Sequence, residues 1–190
     1  MSQRIAIFIS GSGSNAERII AHFQNHQSIQ VVMVLSNNAE AQGLQRAARL
    51  NIPTQVFNKI QFRESDEVIQ ILKTAGVTHV VLAGFLWLMP PNFIETFPHR
   101  IINIHPALLP KFGGKGMYGM RVHEAVKAAG ETETGITIHE VDARYYEGKI
   151  LSQQKCAIEK ADTPAQIALK VQQLEHQYYP AIIEKWITSL

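Results

Sequence analysis

The sequence predicts an α/β protein built on a doubly wound, mostly parallel sheet, and its strand-like runs are the first observation behind this prediction. They are apolar, rich in β-branched residues and separated by helix-like segments, at residues 5–9, 31–35, 55–57, 79–83 and 101–104. Strands that alternate with helices form right-handed βαβ units and therefore a parallel sheet. The second observation follows Gly130, where runs at 134–141 and 150–158 are close enough in the chain to form antiparallel edge strands.

The third observation is the end of the chain, which predicts one long C-terminal helix. It begins near Thr163 and Pro164, a capping residue followed by proline in the first turn. Pro180 lies inside this helix, and we expect it to bend the helix. Apolar residues recur at steps of four, three, four and four, the pattern of one helix face, at Ile167, Val171, Leu174, Tyr178 and Ile182.

The size and composition predict a single domain that spans residues 1–190. The chain has 190 residues, of which 46% are hydrophobic, enough for one core. Its net charge is +2 and no three lysines or arginines are adjacent, so we expect no nucleic-acid partner. No apolar run is long enough to cross a membrane, and the lone Cys156 cannot form an intramolecular disulfide. We therefore expect no membrane partner and a cytoplasmic location.

A glycine-rich loop after the first strand is the first candidate site. Gly11, Gly13 and Ala16 match the G-x-G-x-x-A fingerprint of dinucleotide sites, and the free N–H groups at a helix start can bind phosphate. A nicotinamide enzyme also needs an acidic residue at the end of the second strand, where residues 36–38 are Ser-Asn-Asn. The missing acid argues against that enzyme class. A phosphate site remains, beside the alternative of a glycine turn needed only for tight packing.

The pair Asn103 and His105, at the end of the fifth strand, is the second candidate site. Because side chains alternate along a strand, both point to one face at the carboxyl edge of the sheet, where open α/β folds bind ligands. An amide can stabilise an oxyanion and an imidazole can transfer a proton near neutrality, which suits acyl transfer to an amine. The structural alternative is that Asn103 holds a turn and His105 is satisfied in the core.

The remaining histidines give weaker signals. His139 and Glu140 lack the second histidine of the H-E-x-x-H motif, and the eight histidines do not cluster with Cys or Asp at ligand spacing, so we expect no metal site. Four others are expected to cap helices or to lie at the surface, namely His22, His26, His79 and His99.

Together these motifs resemble the glycinamide ribonucleotide formyltransferases, a family of folate-dependent enzymes of purine synthesis. The matching segments are Ile-Ser-Gly-Ser-Gly-Ser-Asn at 9–15, Leu-Ala-Gly-Phe at 82–85, Asn-Ile-His-Pro-Ala-Leu-Leu-Pro at 103–110 and residues 172–176. Asn-x-His-Pro followed by Leu-Leu-Pro is shared with other enzymes that use formyltetrahydrofolate, so it indicates the chemistry. The front glycine motif and the length indicate the acceptor.

The resemblance implies transfer of a formyl group from the cosubstrate 10-formyltetrahydrofolate to the amine of glycinamide ribonucleotide, without a metal. Asn103 and His105 would be catalytic. The ribonucleotide would be held by Gly13, Ser14, Asn15 and Glu175. The folate would lie beside Asn103, with Arg63 near its tail, along Leu86, Trp87, Leu88 and Met89.

One position departs from the family pattern. Family members carry an aspartate seven residues after the histidine that corresponds to His139, and this chain has Tyr146 there. In the family this aspartate pairs with the catalytic histidine and raises its pKa. We therefore expect either a working transferase, slower or with a shifted pH optimum, or a ligand-binding relative with little turnover. Asp142 and Glu147 lie close by but out of register.

Two other families that use formyltetrahydrofolate are weaker matches. Methionyl-tRNA formyltransferases carry a further C-terminal domain for tRNA, and formyltetrahydrofolate deformylases carry an extra N-terminal regulatory domain. We expect neither, because the first strand begins at Arg4 and the chain stops at Leu190 soon after its last helix. The expected partners are small-molecule substrates, and the sequence allows a homodimer.

Overall fold

A computed structural model describes residues 2–142 and 148–189 of the chain. In this part, one sheet has the strand order β3-β2-β1-β4-β5-β6-β7. The first five strands are parallel, whereas β6 pairs antiparallel with both β5 and β7. The strands are β1 (Gln3–Ile9), β2 (Ile29–Ser36), β3 (Thr54–Val56), β4 (His79–Leu82), β5 (Ile101–His105), β6 (Glu133–Glu140) and β7 (Ile150–Ala157). The predicted fold class is confirmed.

Helices cover both faces of the sheet because strand side chains alternate between two hydrophobic cores. Ile5, Ile7 and Ile9 of β1 face a core that the first, second and last helices cover, whereas Ala6 and Phe8 face the core under the third to fifth helices. The helices of the described residues are α1 (Ser14–Phe23), α2 (Gln42–Arg49), α3 (Lys59–Arg63), α4 (Glu67–Thr74), α5 (Pro91–Thr96), α6 (Met120–Ala128) and α7 (Pro164–Thr188).

The strand order reverses between β1 and β4, which lie side by side in the middle of the sheet. Chain segments that leave the carboxyl ends of such neighbouring strands diverge to opposite faces and open a crevice between them. The glycine-rich loop follows β1, the segment from Ala83 follows β4, and the segment from Pro106 follows β5. The topology therefore brings the motifs singled out in the sequence to one edge of the sheet.

The long C-terminal helix is confirmed, with a correction to its buried face. A capping box of Thr163 and Gln166 starts α7, which continues through Pro180 to Thr188. The first half of the predicted stripe is buried as expected, but Leu174, Tyr178 and Ile182 are only partly buried at its border. The buried positions continue at Tyr179, Ile183, Trp186 and Ile187.

The reason for this correction is the position between the two halves of the stripe. Steps of four residues from Ile167 and Val171 lead to Glu175 and then to Tyr179. A search for apolar residues passes over the glutamate and moves to Leu174, one position away from the inner face. The inner face of α7 therefore carries a carboxylic acid at its centre.

His79 contradicts the expectation of a cap or a surface position. It lies on β4 with 1% of its surface exposed, and its ring meets the indole of Trp186 edge to face at a centroid distance of 5.2 Å. Burial, with a smaller contribution from the charge of Arg100, lowers the pKa of His79 from 6.5 to about 4. A central strand of this sheet therefore carries an imidazole that is neutral at pH 7.

This buried imidazole predicts an acid-sensitive contribution to stability. Above pH 6.5 the imidazole of His79 is neutral in both the folded and the unfolded protein. Between pH 6.5 and pH 4 it takes up a proton only in the unfolded protein, so the free energy of unfolding decreases as the pH is lowered. The shift predicts a loss of about 2 kcal/mol from this group between pH 7.5 and pH 5. His79→Phe keeps a ring against Trp186 but cannot take up a proton. We therefore expect its unfolding free energy to decrease by about 2 kcal/mol less than that of the wild type between pH 7.5 and pH 5.

Urea unfolding at the two pH values tests this expectation. The matched control is Leu169→Phe, because Leu169 is 60% exposed on α7 and has no titratable group, so the difference between the two pH values should stay unchanged. An equal loss of unfolding free energy in the wild type and in His79→Phe would contradict the assignment.

Candidate active site

A cavity of about 900 Å³ opens at the carboxyl ends of β1, β4 and β5. Arg63 is not among its lining residues and lies exposed at the last position of α3. Tyr146 lies outside the described residues. The other residues predicted for the site all line this cavity: Gly13, Ser14, Asn15, Leu86, Trp87, Leu88, Met89, Asn103, His105 and Glu175.

Gly13 meets two separate demands in the loop after β1. Its φ of +69° is a left-handed conformation that favours glycine, and a Cβ atom there would come within 2.3 Å of the Cα atom of Gly43. The Gly43 N–H in turn donates to the Gly11 carbonyl at 3.1 Å. Tight packing is therefore one real reason for the glycines, and it leaves room for an anion site on the opposite side of the loop.

The start of α1 is the part of this loop that can bind an anion. Gly13 is the N-cap and no side chain caps the helix, so the N–H groups of its first turn have no intrahelical acceptor. Two side-chain hydrogen bonds tie the loop to α7: Gln172 Nε2 donates to Ser14 Oγ at 3.2 Å, and Asn15 Nδ2 donates to Glu175 Oε2 at 2.8 Å. These bonds fix the loop and place a carboxyl group beside it.

Glu175 is held in a polar pair inside the cavity wall. Burial raises the pKa of its carboxyl group, and the hydrogen bond from Asn15 acts in the opposite direction. Asn15 itself has a buried Oδ1 atom with no partner among the described residues. The pair therefore offers carboxyl and amide oxygens to a polar ligand.

Ser10 connects the glycine loop to the next wall of the cavity. Its hydroxyl donates to Asn37 Oδ1 at 2.7 Å and accepts the Leu86 N–H at 3.0 Å. The position at which a dinucleotide site needs an acid is thus occupied by an amide engaged in an internal hydrogen bond. This arrangement disfavours the nicotinamide alternative further.

The segment that begins with Leu86 forms an apolar wall. Leu86 and Leu88 are 50% and 48% exposed, whereas Met89 is buried and Trp87 packs among the aromatic residues of the core. Large apolar side chains at the mouth of a cavity provide a contact surface for a flat organic ligand.

Asn103 is oriented by its neighbour across the sheet. It pairs in register with His139 of β6, and its Nδ2 atom lies 3.2 Å from His139 Nε2. His139 Nδ1 lies 2.8 Å from the Glu140 carbonyl, which can only accept, so Nδ1 carries the hydrogen and Nε2 accepts from Asn103. This chain fixes the direction of the Asn103 amide and leaves its second N–H for a ligand.

His105 is buried, with 4% of its surface exposed. Its Nε2 atom donates to the Phe112 carbonyl at 2.8 Å, which fixes the tautomer of the neutral ring. Burial is the largest cause that lowers the pKa of His105; the Phe112 carbonyl opposes it, and His139 and His123 lower the pKa further. The ring is therefore a neutral imidazole at pH 7.

A buried threonine supports the turn that follows His105. Thr137 Oγ1 donates to the Ala107 carbonyl at 2.7 Å and accepts the Leu109 N–H at 2.9 Å. At the end of the neighbouring strand β4, Tyr179 Oη of α7 donates to the Leu82 carbonyl at 2.9 Å. Side chains from β6 and α7 thus fix the turn after β5 and the end of the neighbouring β4.

Two further classes of feature are absent from residues 2–142 and 148–189. No three His, Cys, Asp or Glu side chains there are grouped to hold a metal ion. None of the helices there is long and apolar enough to cross a membrane.

Comparison with known proteins decides the family. A family model described as formyl transferase matches residues 3–183. The chain belongs to the formyl transferase family. It is 39% identical over 187 residues to the chloroplastic phosphoribosylglycinamide formyltransferase of Arabidopsis thaliana. This alignment covers 95% of the chain and 64% of the Arabidopsis protein. A phosphoribosylglycinamide formyltransferase of Haemophilus influenzae is 36% identical, with 98% and 88% covered.

Solved structures of the family share this fold. Phosphoribosylglycinamide formyltransferase from Brucella melitensis has a TM-score of 0.87 and 35% identity, with 98% of this chain and 96% of that chain covered. The enzyme from Anaplasma phagocytophilum has the same TM-score and 34% identity, with 96% and 86% covered. This chain spans only about three fifths of the length of the matched plant relatives, 64% and 60%.

Proposed function

We propose that this protein transfers the formyl group of 10-formyltetrahydrofolate to the amine of glycinamide ribonucleotide, a step of de novo purine synthesis. The observation that carries the proposal is the pair Asn103 and His105, an oriented amide donor and a neutral imidazole that line one cavity. Membership of the formyl transferase family supports the reaction class. A volume of about 900 Å³ is near the upper end of small-molecule sites, as two substrates require.

The acceptor would occupy the α1 and α7 side of the cavity. The backbone of Gly13, Ser14 and Asn15 would hold the phosphate, because the uncapped first turn of α1 presents N–H donors and the positive end of the helix dipole. Glu175 would accept hydrogen bonds from the ribose or meet the amine end. Its hydrogen bond to Asn15 keeps these two parts of the site in a fixed relation.

The folate would lie on the opposite wall, along residues 86–89. The exposed side chains of Leu86 and Leu88 offer apolar contact for its ring system. Arg63 lies exposed outside the cavity, where its charge could only meet the anionic tail of a folate that extends beyond the cavity mouth. The assignment of Arg63 therefore depends on the length of the ligand.

In the proposed reaction the substrate amine attacks the formyl carbon, and negative charge develops on the formyl oxygen. The second N–H of Asn103 would donate to that oxygen. A proton must leave the attacking nitrogen and reach the departing folate nitrogen, and His105 would transfer it through Nδ1 because Nε2 is bonded to Phe112. The products are the formylated amine and tetrahydrofolate, so the atoms and the charge balance.

A direct absorbance assay of formyl transfer tests the proposed function. Both substrates are mixed with the protein, and the absorbance of the released folate is followed. We expect turnover that requires both substrates. Binding of each substrate by calorimetry without turnover would contradict the proposed reaction and would favour the ligand-binding alternative that Tyr146 raises.

The phosphate assignment predicts that a negative charge in the glycine loop weakens ribonucleotide binding. Ser12 is exposed and lines the cavity, so it tolerates a new side chain better than Gly13. We expect Ser12→Asp to weaken ribonucleotide binding about 10-fold or more and to leave folate binding unchanged, because like charges repel at close range. Ser12→Asn, of the same size and uncharged, is the control. Equal affinities in the two variants would argue against a phosphate at this loop.

The remaining assignments follow from this proposed function. Residues 1–190 would act as one formyltransferase domain with small-molecule substrates, in the cytoplasm, as a monomer or a homodimer. Plant relatives carry names that mark them as chloroplastic. The role of position 146 stays a prediction from the sequence.

A further inference from the structure

His123 is a buried imidazole of the cavity for which the reaction described above has no use. It lies in the first half of α6, lines the cavity and has 6% of its surface exposed. Its Nδ1 atom is buried without a partner, and no hydrogen bond joins its ring to any other described residue. Buried polar groups are nearly always hydrogen-bonded, and an exception inside a binding cavity points to a ligand.

The position of His123 places it on the acceptor side of the cavity. Helix α6 packs against α7, whose Val171 and Gln172 line the same cavity. On the same helix, Val122 and Val126 form a buried hydrophobic cluster with Ala107. The apolar wall at 86–89 belongs to the other face of the sheet, where Met89 is part of the core under α3 to α5. A ligand that extends from the glycine loop along α7 therefore approaches His123.

The charge state of His123 defines what it can bind. Burial lowers the pKa of its ring, so the imidazole is neutral at pH 7. A neutral imidazole offers one donor and one acceptor and gives no net attraction for an anion. It is suited to an uncharged polar group, such as an amide or a hydroxyl, and not to the phosphate.

We propose that His123 contacts the acceptor substrate, by a hydrogen bond to an amide or hydroxyl group of the ribonucleotide. This inference rests on the proposed function, because it assumes the orientation of the ribonucleotide along α7. It assigns His123 to recognition of the acceptor, separate from the transfer chemistry of Asn103 and His105.

Two variants test this role against three probes. His123→Phe keeps the ring volume and removes both nitrogens, whereas His123→Gln keeps a donor and an acceptor. We expect His123→Phe to weaken binding of glycinamide ribonucleotide by about 3- to 10-fold, the value of one hydrogen bond. Binding of inorganic phosphate and of 10-formyltetrahydrofolate should not change, and His123→Gln should recover most of the loss.

The outcomes separate this inference from the proposed function. Unchanged ribonucleotide affinity in His123→Phe, with normal turnover of the wild type, overturns the role of His123 alone. Equal weakening of all three probes also overturns it, because the ring would then be merely structural. A wild type that binds no ribonucleotide overturns the proposed function itself. As an independent readout, the ring nitrogens of His123 should shift in the NMR spectrum when the ribonucleotide is added and not when phosphate is added.

Discussion

His105→Ala is expected to lower kcat by about 10²- to 10⁴-fold, the usual contribution of a positioned acid or base. Alanine removes the only group of the polar pair that can carry a proton near pH 7. The affinity for glycinamide ribonucleotide should stay nearly the same, because the phosphate loop is anchored by its own bonds to α7 through Ser14 and Asn15. Single-turnover kinetics, with separate titrations of the two substrates, measure both quantities.

The control for this variant is His22→Ala. His22 lies at the surface, where its ring pairs with Glu184 at 2.6 Å, and it is not among the residues that line the cavity. We expect wild-type kcat in this control. A His105→Ala variant that kept more than about a tenth of the wild-type kcat would contradict the role of the ring in proton transfer.

The pH dependence of the same reaction follows from the lowered pKa of His105. Above its pKa the ring is neutral and can accept the proton; below it the ring is protonated before the reaction begins. We therefore expect the acidic limb of the rate profile to lie below the ordinary histidine value of about 6.5. The sequence also predicts a lowered pKa for His105, because Tyr146 replaces the aspartate that raises this pKa in the family. In the described residues, the largest cause is burial.

The sheet and the polar pair were predictable because they depend on local patterns. Alternation within β5 is enough to place Asn103 and His105 on one face, and apolar runs are enough to order the parallel strands. His139 was missed because its contact with Asn103 depends on the pairing of β5 with β6, about 35 residues later in the chain. The available signal was the alternation of side chains along β6, which places His139 on the same face as Thr137.

The burial of His79 and the position of Arg63 show the other limit. A histidine at the start of an apolar run gives no sign of burial until a helix from the far end of the chain places Trp186 against it. Arg63 follows from the resemblance alone, and its distance from the cavity depends on where α3 ends. A contact between segments distant in sequence therefore decides the first case, and the end of a short helix decides the second.

Asn103→Ala is expected to lower kcat by about 10²- to 10³-fold, the cost of removing one oxyanion donor. The loss should fall on kcat and not on the affinity for either substrate, because the developing charge exists only in the transition state. The variant also removes the hydrogen bond between Asn103 and His139, and part of any loss of stability will come from that bond. Stability and kcat must therefore be measured on the same variant.

A second variant separates the donor from the shape of the side chain at this position. Asn103→Asp has nearly the same volume, but its ionised carboxylate cannot donate to an oxyanion and repels it, so its kcat should be as low as that of Asn103→Ala. The matched control is Asn92→Ala on α5, whose amide donates to Asp66 at 2.9 Å outside the cavity, and its kcat should equal that of the wild type. If Asn103→Asp kept the wild-type kcat, charge stabilisation by the amide would be excluded. Asn103 would then have only the structural role at the end of β5 that its sequence position also allows.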